Sequence, residues 1–237
     1  MKTKKIAGIF ACAALMAGSA QAVSYSGFLT TDVDANLEAS QGLFGTEAWS
    51  SGATFSWNVD YDETHSGLWT YNYTLSVQSK DISNMVIEVS DLFAEANILD
   101  GSSEGLSLDY FALGSQGGSN PGLPSGFTAL KLDNPGDTTI FDITIVSDRK
   151  AVWGDMYAKD GVDGGNEVFL YNMGFTEFDT DPEDAIRNGS VDFHILRPDT
   201  VGGPGPDDEP PPVPEPHVPM LSGVAMLIYL LRRKNKA

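Results

Sequence analysis

The sequence predicts an all-β fold: an antiparallel β-sandwich, jelly-roll-like in arrangement, followed by a short hydrophobic helix near the C-terminal end. Three observations carry this expectation. From Leu68 to Val77 the residues Trp69, Tyr71, Tyr73, Leu75 and Val77 alternate with Thr70, Asn72, Thr74 and Ser76. A period of two places one set on a buried face and the other in water, and the residue types are strong strand formers. The stretch from Thr139 to Ser147 repeats the pattern, with Phe141, Ile143 and Ile145 set against Asp142 and Thr144. Turn-forming clusters at Gly114 to Gly126, Asn134-Pro135-Gly136 and Gly161 to Gly165 then divide the chain into many short segments.

In chain order, further strands are expected over residues 24–33, 53–60, 84–89, 106–113, 127–132, 152–158, 168–172 and 191–196. One helical turn is expected from Asp91 to Ile98, with Asp91 able to cap Leu92-Phe93-Ala94-Glu95. Within the late segment, Trp153 and Tyr157 alternate and are expected to fill the core. Gly154 is expected to admit a neighbouring backbone, and Asp160-Gly161 to make a turn. No internal repeat is visible, so residues 23–201 read as one domain, long enough to bury a core of ordinary size.

The two ends read differently from the body. Lys2, Lys4 and Lys5 open the chain, residues 6–18 carry no charge, and Ser19-Ala20-Gln21-Ala22 closes the segment with small residues. That order predicts a secretory signal peptide over residues 1–22, cleaved after Ala22 so that Val23 starts the mature chain. The apolar run is shorter than the roughly 20 residues a membrane-spanning helix needs. At the other end, residues 202–212 are rich in proline, glycine and acid, a composition that favours an extended linker over helix or sheet. Val213-Pro214-Glu215-Pro216 follows, then a largely apolar segment from Val218 to Leu231, then Arg232-Arg233-Lys234 and Lys236. The apolar segment is marginal for a stable span, and the basic cluster is expected to stay on the cytoplasmic side during export.

This tail, residues 213–237, resembles the PEP-CTERM sorting signal of Gram-negative bacteria; the bland alternative is a plain single-span anchor. Three internal segments add to the resemblance. They are Val152-Trp153-Gly154-Asp155-Met156-Tyr157-Ala158-Lys159-Asp160-Gly161, then Tyr171-Asn172-Met173-Gly174-Phe175, then His194-Ile195-Leu196-Arg197-Pro198-Asp199. The resemblance implies transient insertion of the C-terminal helix in the inner membrane, with signal peptidase and a membrane-embedded exosortase as partners during export. It also implies a final location at the cell surface or in an extracellular matrix, in a setting of exopolysaccharide and biofilm. It implies no enzymatic activity.

Charge narrows the classes further. All 33 acidic residues lie between Asp32 and Glu215, while Lys2, Lys4, Lys5, Arg232, Arg233, Lys234 and Lys236 account for seven of the 14 basic ones. A body this acidic repels nucleic acid, so nucleic-acid binding is set aside. Cys12 is the only cysteine and leaves with the signal peptide, so the mature chain has neither disulfide nor thiol chemistry.

The search for chemistry yields weak signals. Gly101-Ser102-Ser103-Glu104-Gly105 fits G-x-S-x-G, but that mechanism places the serine between a strand and a helix, and here an alternating strand pattern follows. His65 and His194 are the two histidines of the body, and no H-E-x-x-H pair accompanies them. Asp32, Asp34, Asn36 and Glu38 offer alternating oxygen ligands for calcium without the sixth-position glycine and twelfth-position glutamate of an EF-hand. Asp160 and Asp163 with Glu167, and Asp179, Asp181, Glu183 and Asp184, form acidic clusters on expected loops that suit either calcium or plain solvation. Trp49, Trp57, Trp69 and Trp153 fit a β core, or alternatively a lectin-like, carbohydrate-binding surface. The expectation is therefore a non-enzymatic exported β protein with a structural or adhesive role.

Overall fold

The described residues of the chain form thirteen strands, here in a computed structural model, and alternating aromatic and β-branched residues build the longest of them. The structure describes residues 23–34, 39–62, 67–89, 92–112, 119–136, 138–175 and 189–198. Residues 1–22 with Ala20 and Ala22, residues 202–212 expected as a linker, and residues 213–237 expected as a sorting signal with a hydrophobic helix lie outside these. So do Asn36, His65, Asp91 and the acidic cluster 179–184.

The strands are β1 (Val23–Asp34), β2 (Ala39–Gln41), β3 (Leu43–Gly45), β4 (Thr54–Asp62), β5 (Leu68–Ser76), β6 (Asn84–Glu88) and β7 (Leu106–Phe111). They continue with β8 (Phe127–Asp133), β9 (Ile140–Ser147), β10 (Ala151–Gly154), β11 (Met156–Asp163), β12 (Asn166–Asn172) and β13 (Ile195–Pro198). The fold is all-β and its ladders are antiparallel. Short 3-10 turns at Glu47–Trp49 and Glu95–Asn97 are the helical elements seen among the described residues. None is long and apolar enough to cross a membrane.

Several expectations are corrected. The turn expected from Asp91 is 3-10 in character and starts later, with the Ala94 N–H donating to the Asn97 side chain at 2.9 Å. The strand expected over 152–158 breaks at Asp155, where the chain leaves one sheet and enters another. Asp160-Gly161 lies inside β11, at a register shift between Lys159 and Val162, and the turn falls at Gly164-Gly165, both at positive φ. The strand expected over 191–196 starts only at Ile195, because Asp192 and Phe193 adopt positive φ and turn the chain.

Hydrogen bonding orders the strands as β2-β1-β4-β5-β9 in one sheet and β3-β12-β11-β6-β8-β7 in a second, with β10-β13 as a separate pair. The period-two expectation for residues 68–77 holds: Tyr71, Tyr73, Leu75 and Val77 are buried and Trp69 is half-buried. These residues join Phe55, Trp57, Ile143 and Ile145 from the first sheet in one hydrophobic cluster. Met85, Ile87, Leu130, Leu132, Val168 and Leu170 from the second sheet belong to the same cluster. Burial of Tyr73 pushes its phenol well above the ordinary range, with the Arg197 charge acting in the opposite direction.

The six-stranded sheet is covered on its other face too. Val86, Phe111, Phe127, Ala129 and Tyr157 form a second cluster there with Leu123, flanked by Phe169, Tyr171 and Phe175. Tyr157 therefore fills a different core from Trp153, and its hydroxyl donates to the Pro121 carbonyl at 2.9 Å. A β-carbon on Gly122 would meet the Phe169 ring at 2.1 Å, which shows how closely this segment lies on the aromatic face.

Candidate functional site

The three late segments Val152 to Gly161, Tyr171 to Phe175 and His194 to Pro198 come together around a buried polar network. Asp155, Asn172, Ser190, His194 and Arg197 are each at most 3 % exposed. Glu88, at the end of β6, completes the group: its Oε2 lies 3.3 Å from Arg197 Nε and accepts the Asp155 N–H at 2.9 Å. In return, the Glu88 N–H donates to the Asp155 carbonyl at 2.9 Å. The chain can change sheets at Asp155 because both backbone groups of that break are satisfied by one residue.

Asn172 ties the network to β12. Its Nδ2 donates to Asp155 Oδ1 at 2.6 Å and to the Phe193 carbonyl at 3.0 Å, while its Oδ1 accepts the Met156 N–H at 2.8 Å. His194 sits in the turn before β13. Its Nδ1 faces the Val191 carbonyl at 3.1 Å, and since a carbonyl only accepts, that nitrogen carries the proton. Nε2 stands 3.9 Å from Asp155 Oδ1. Ser190 donates to the His194 carbonyl at 2.6 Å. Serine, histidine and aspartate thus meet here, but the hydroxyl is committed to backbone and the group is sealed from water. This arrangement presents no nucleophile to a substrate.

Two glycines make the network possible. A β-carbon on Gly154 would lie 2.0 Å from Arg197 Nε and 2.6 Å from Glu88 Oε2, so the glycine admits a side-chain ion pair where a backbone approach was expected. A β-carbon on Gly174 would meet the Asp192 carbonyl at 2.1 Å. The network's mechanical consequence is clear from its partners. It fastens β13 to β6, β10, β11 and β12, and β13 is the last described strand. The Tyr73 hydroxyl adds a further tie, donating to the Leu196 carbonyl at 2.8 Å.

The other candidate residues are placed as follows. Asp32 on β1 is exposed and its Oδ1 accepts the Gly52 N–H at 2.7 Å. Asp34 ends β1, and Asn36 and Glu38 lie outside the described residues. Asp160 accepts from the Ser83 hydroxyl at 3.0 Å, and Asp163 pairs with Lys80 at 3.4 Å, which directs the two carboxylates to separate partners. Among the described residues no group of three or more His, Cys, Asp or Glu is arranged to hold a metal ion.

Ser103, the central serine of the G-x-S-x-G pattern, exchanges bonds with Thr144. Its N–H donates to the Thr144 carbonyl at 2.8 Å, and its hydroxyl accepts the Thr144 N–H at 2.9 Å. Ser102 accepts the Val146 N–H at 2.9 Å. These serines close the outer edge of β9. Of the tryptophans, Trp49, Trp57 and Trp153 are buried, which leaves Trp69 half-exposed beside Tyr61 at a ring distance of 4.9 Å.

Glu88 is the residue that sequence reasoning missed. The available signal was an acid at the end of the otherwise apolar run Met85-Val86-Ile87-Glu88-Val89. The chain matches no family model, no curated protein and no solved structure.

Proposed function

We propose that this chain is an exported protein of the cell surface or extracellular matrix, cut after Ala22 and processed at its tail by an exosortase. Its role is structural or adhesive, in the setting of exopolysaccharide. The observation that carries the reading is the ordered tail: Val213-Pro214-Glu215-Pro216, then the apolar run to Leu231, then Arg232-Arg233-Lys234. The buried network that holds β13, the last described strand before the expected linker, supports it.

In this reading the body is an antiparallel β-sandwich, jelly-roll-like in arrangement, supported by the single cluster to which both large sheets contribute. The tail holds the body at the inner membrane until the sorting enzyme cuts, and a tightly fastened last strand keeps the body folded while its C-terminal end is tethered. Replacing Pro214, Glu215 and Pro216 together by alanine tests the proposal in the native host. The expected result is full-length protein retained in the membrane fraction and loss of the processed form. Processing at an unchanged rate overturns the reading.

A further inference from the structure

Strand edges decide what a β protein can join, because an unpaired edge presents a row of backbone donors and acceptors. The four edges of the two large sheets differ. β2 and β3 are three residues each, and β9 is closed by Leu99, Ser102 and Ser103. β7 is six residues long, contains neither proline nor lysine, and pairs with β8 alone among the described residues.

One hydrogen bond fixes which groups of β7 face outward. The Tyr110 N–H donates to its neighbour's side chain, Asp109 Oδ1, at 2.8 Å, and so points away from β8. In an antiparallel strand, alternate residues turn both backbone groups to the same side. The outward set is therefore Leu106, Leu108 and Tyr110, and it is symmetric about Leu108. Tyr110 is also 63 % exposed, an unusual state for a large aromatic side chain within a strand.

We propose that β7 pairs antiparallel with β7 of a second copy of this chain, about a two-fold axis through Leu108, and joins two six-stranded sheets into one. An antiparallel edge meets its own copy about such an axis, and the side chains that then face each other decide whether the pairing holds. Leu108 faces Leu108, and Leu106 faces Tyr110, which covers the exposed ring. On the opposite face, Asp109 stands across from Ser107, so the strand's carboxylate meets a hydroxyl rather than its own copy. The Tyr110 N–H exchanges its bond to Asp109 for the partner's Leu106 carbonyl. The acidic surface makes the copies repel at low ionic strength, so association strengthens as salt screens that charge. This inference is independent of the export reading.

Cysteine pairing reads the register directly. In the full-length chain with Cys12→Ser, held in mild detergent, Ser107→Cys and Asp109→Cys are oxidised separately and as a mixture. Directly opposite residues of a non-hydrogen-bonded pair lie about 4.5 Å apart at Cα, within disulfide range, whereas diagonal neighbours lie roughly 7–8 Å apart. The expected result is a linked dimer several-fold more abundant in the mixture than in either variant alone. Equal yields in the three samples, or no linked dimer, overturn the proposal. Adding Tyr110→Lys to both chains places a charge on the edge and keeps the backbone donor. With circular dichroism unchanged, it is expected to lower the mixed yield several-fold, and an unchanged yield also overturns the proposal.

Discussion

Arg197→Met is expected to lower the free energy of unfolding by about 3–5 kcal/mol, the range for breaking a buried ion pair from one side. Methionine keeps much of the side-chain volume, so the loss is one of charge. Arg197 is 1 % exposed and its Nε lies 3.3 Å from Glu88 Oε2, and removing the guanidinium leaves a poorly solvated carboxylate facing a thioether. Removing both charges relieves that penalty. The double variant Glu88→Gln with Arg197→Met is therefore expected to be less destabilised than the sum of the single variants. Urea unfolding of the three proteins gives the coupling. Strict additivity contradicts the pairing on which the network rests.

Trp153→Ala is expected to cost a further amount of the same order, about 3–5 kcal/mol, because a buried aromatic side chain is lost and a cavity remains. Trp153 is fully buried and meets Trp57 edge-on, with ring centres 6.5 Å apart at 82°. It also sits on β10, one residue before Gly154, so its loss loosens the pair β10-β13 as well as the core. Trp69→Ala is the comparison, since that ring is half-buried at the sheet's end. Chemical unfolding should show a clearly larger loss for Trp153 than for Trp69. Equal losses contradict the placement of Trp153 in the core.

Strand existence was legible because alternation is a local property. Strands β4, β5, β6, β8, β9 and β12 fall where the two-residue period or an apolar run places them, with ends shifted by a residue or two. The short strands β2 and β3 carry no such signal. β3 exists because it pairs with β12, more than a hundred residues later, and no window along the chain contains both. The break at Asp155 was hidden for a similar reason: Val152 to Ala158 reads as one apolar strand until Glu88 supplies the bonds that let it turn.

The late segments could be picked out in the sequence, but their physical meaning depends on contacts between them. Asp155, Asn172, His194 and Arg197 look like scattered polar residues in sequence and become one buried network in space. Phe193 adopts a positive φ that its side chain disfavours, and the Asn172 amide bonded to its carbonyl is part of what holds it there. The serines of the G-x-S-x-G pattern proved to be edge caps, a role that composition cannot distinguish from a turn. Asp160 and Asp163 are close in sequence, yet Ser83 and Lys80 draw them to different partners.

The most direct measurement is the intact mass of the protein recovered from envelope and culture-supernatant fractions of its native host. The account predicts a chain that starts at Val23 and ends within or beside residues 213–216. A mass that still contains Met220 to Ala237 in every fraction contradicts sorting and leaves the tail as a plain membrane anchor.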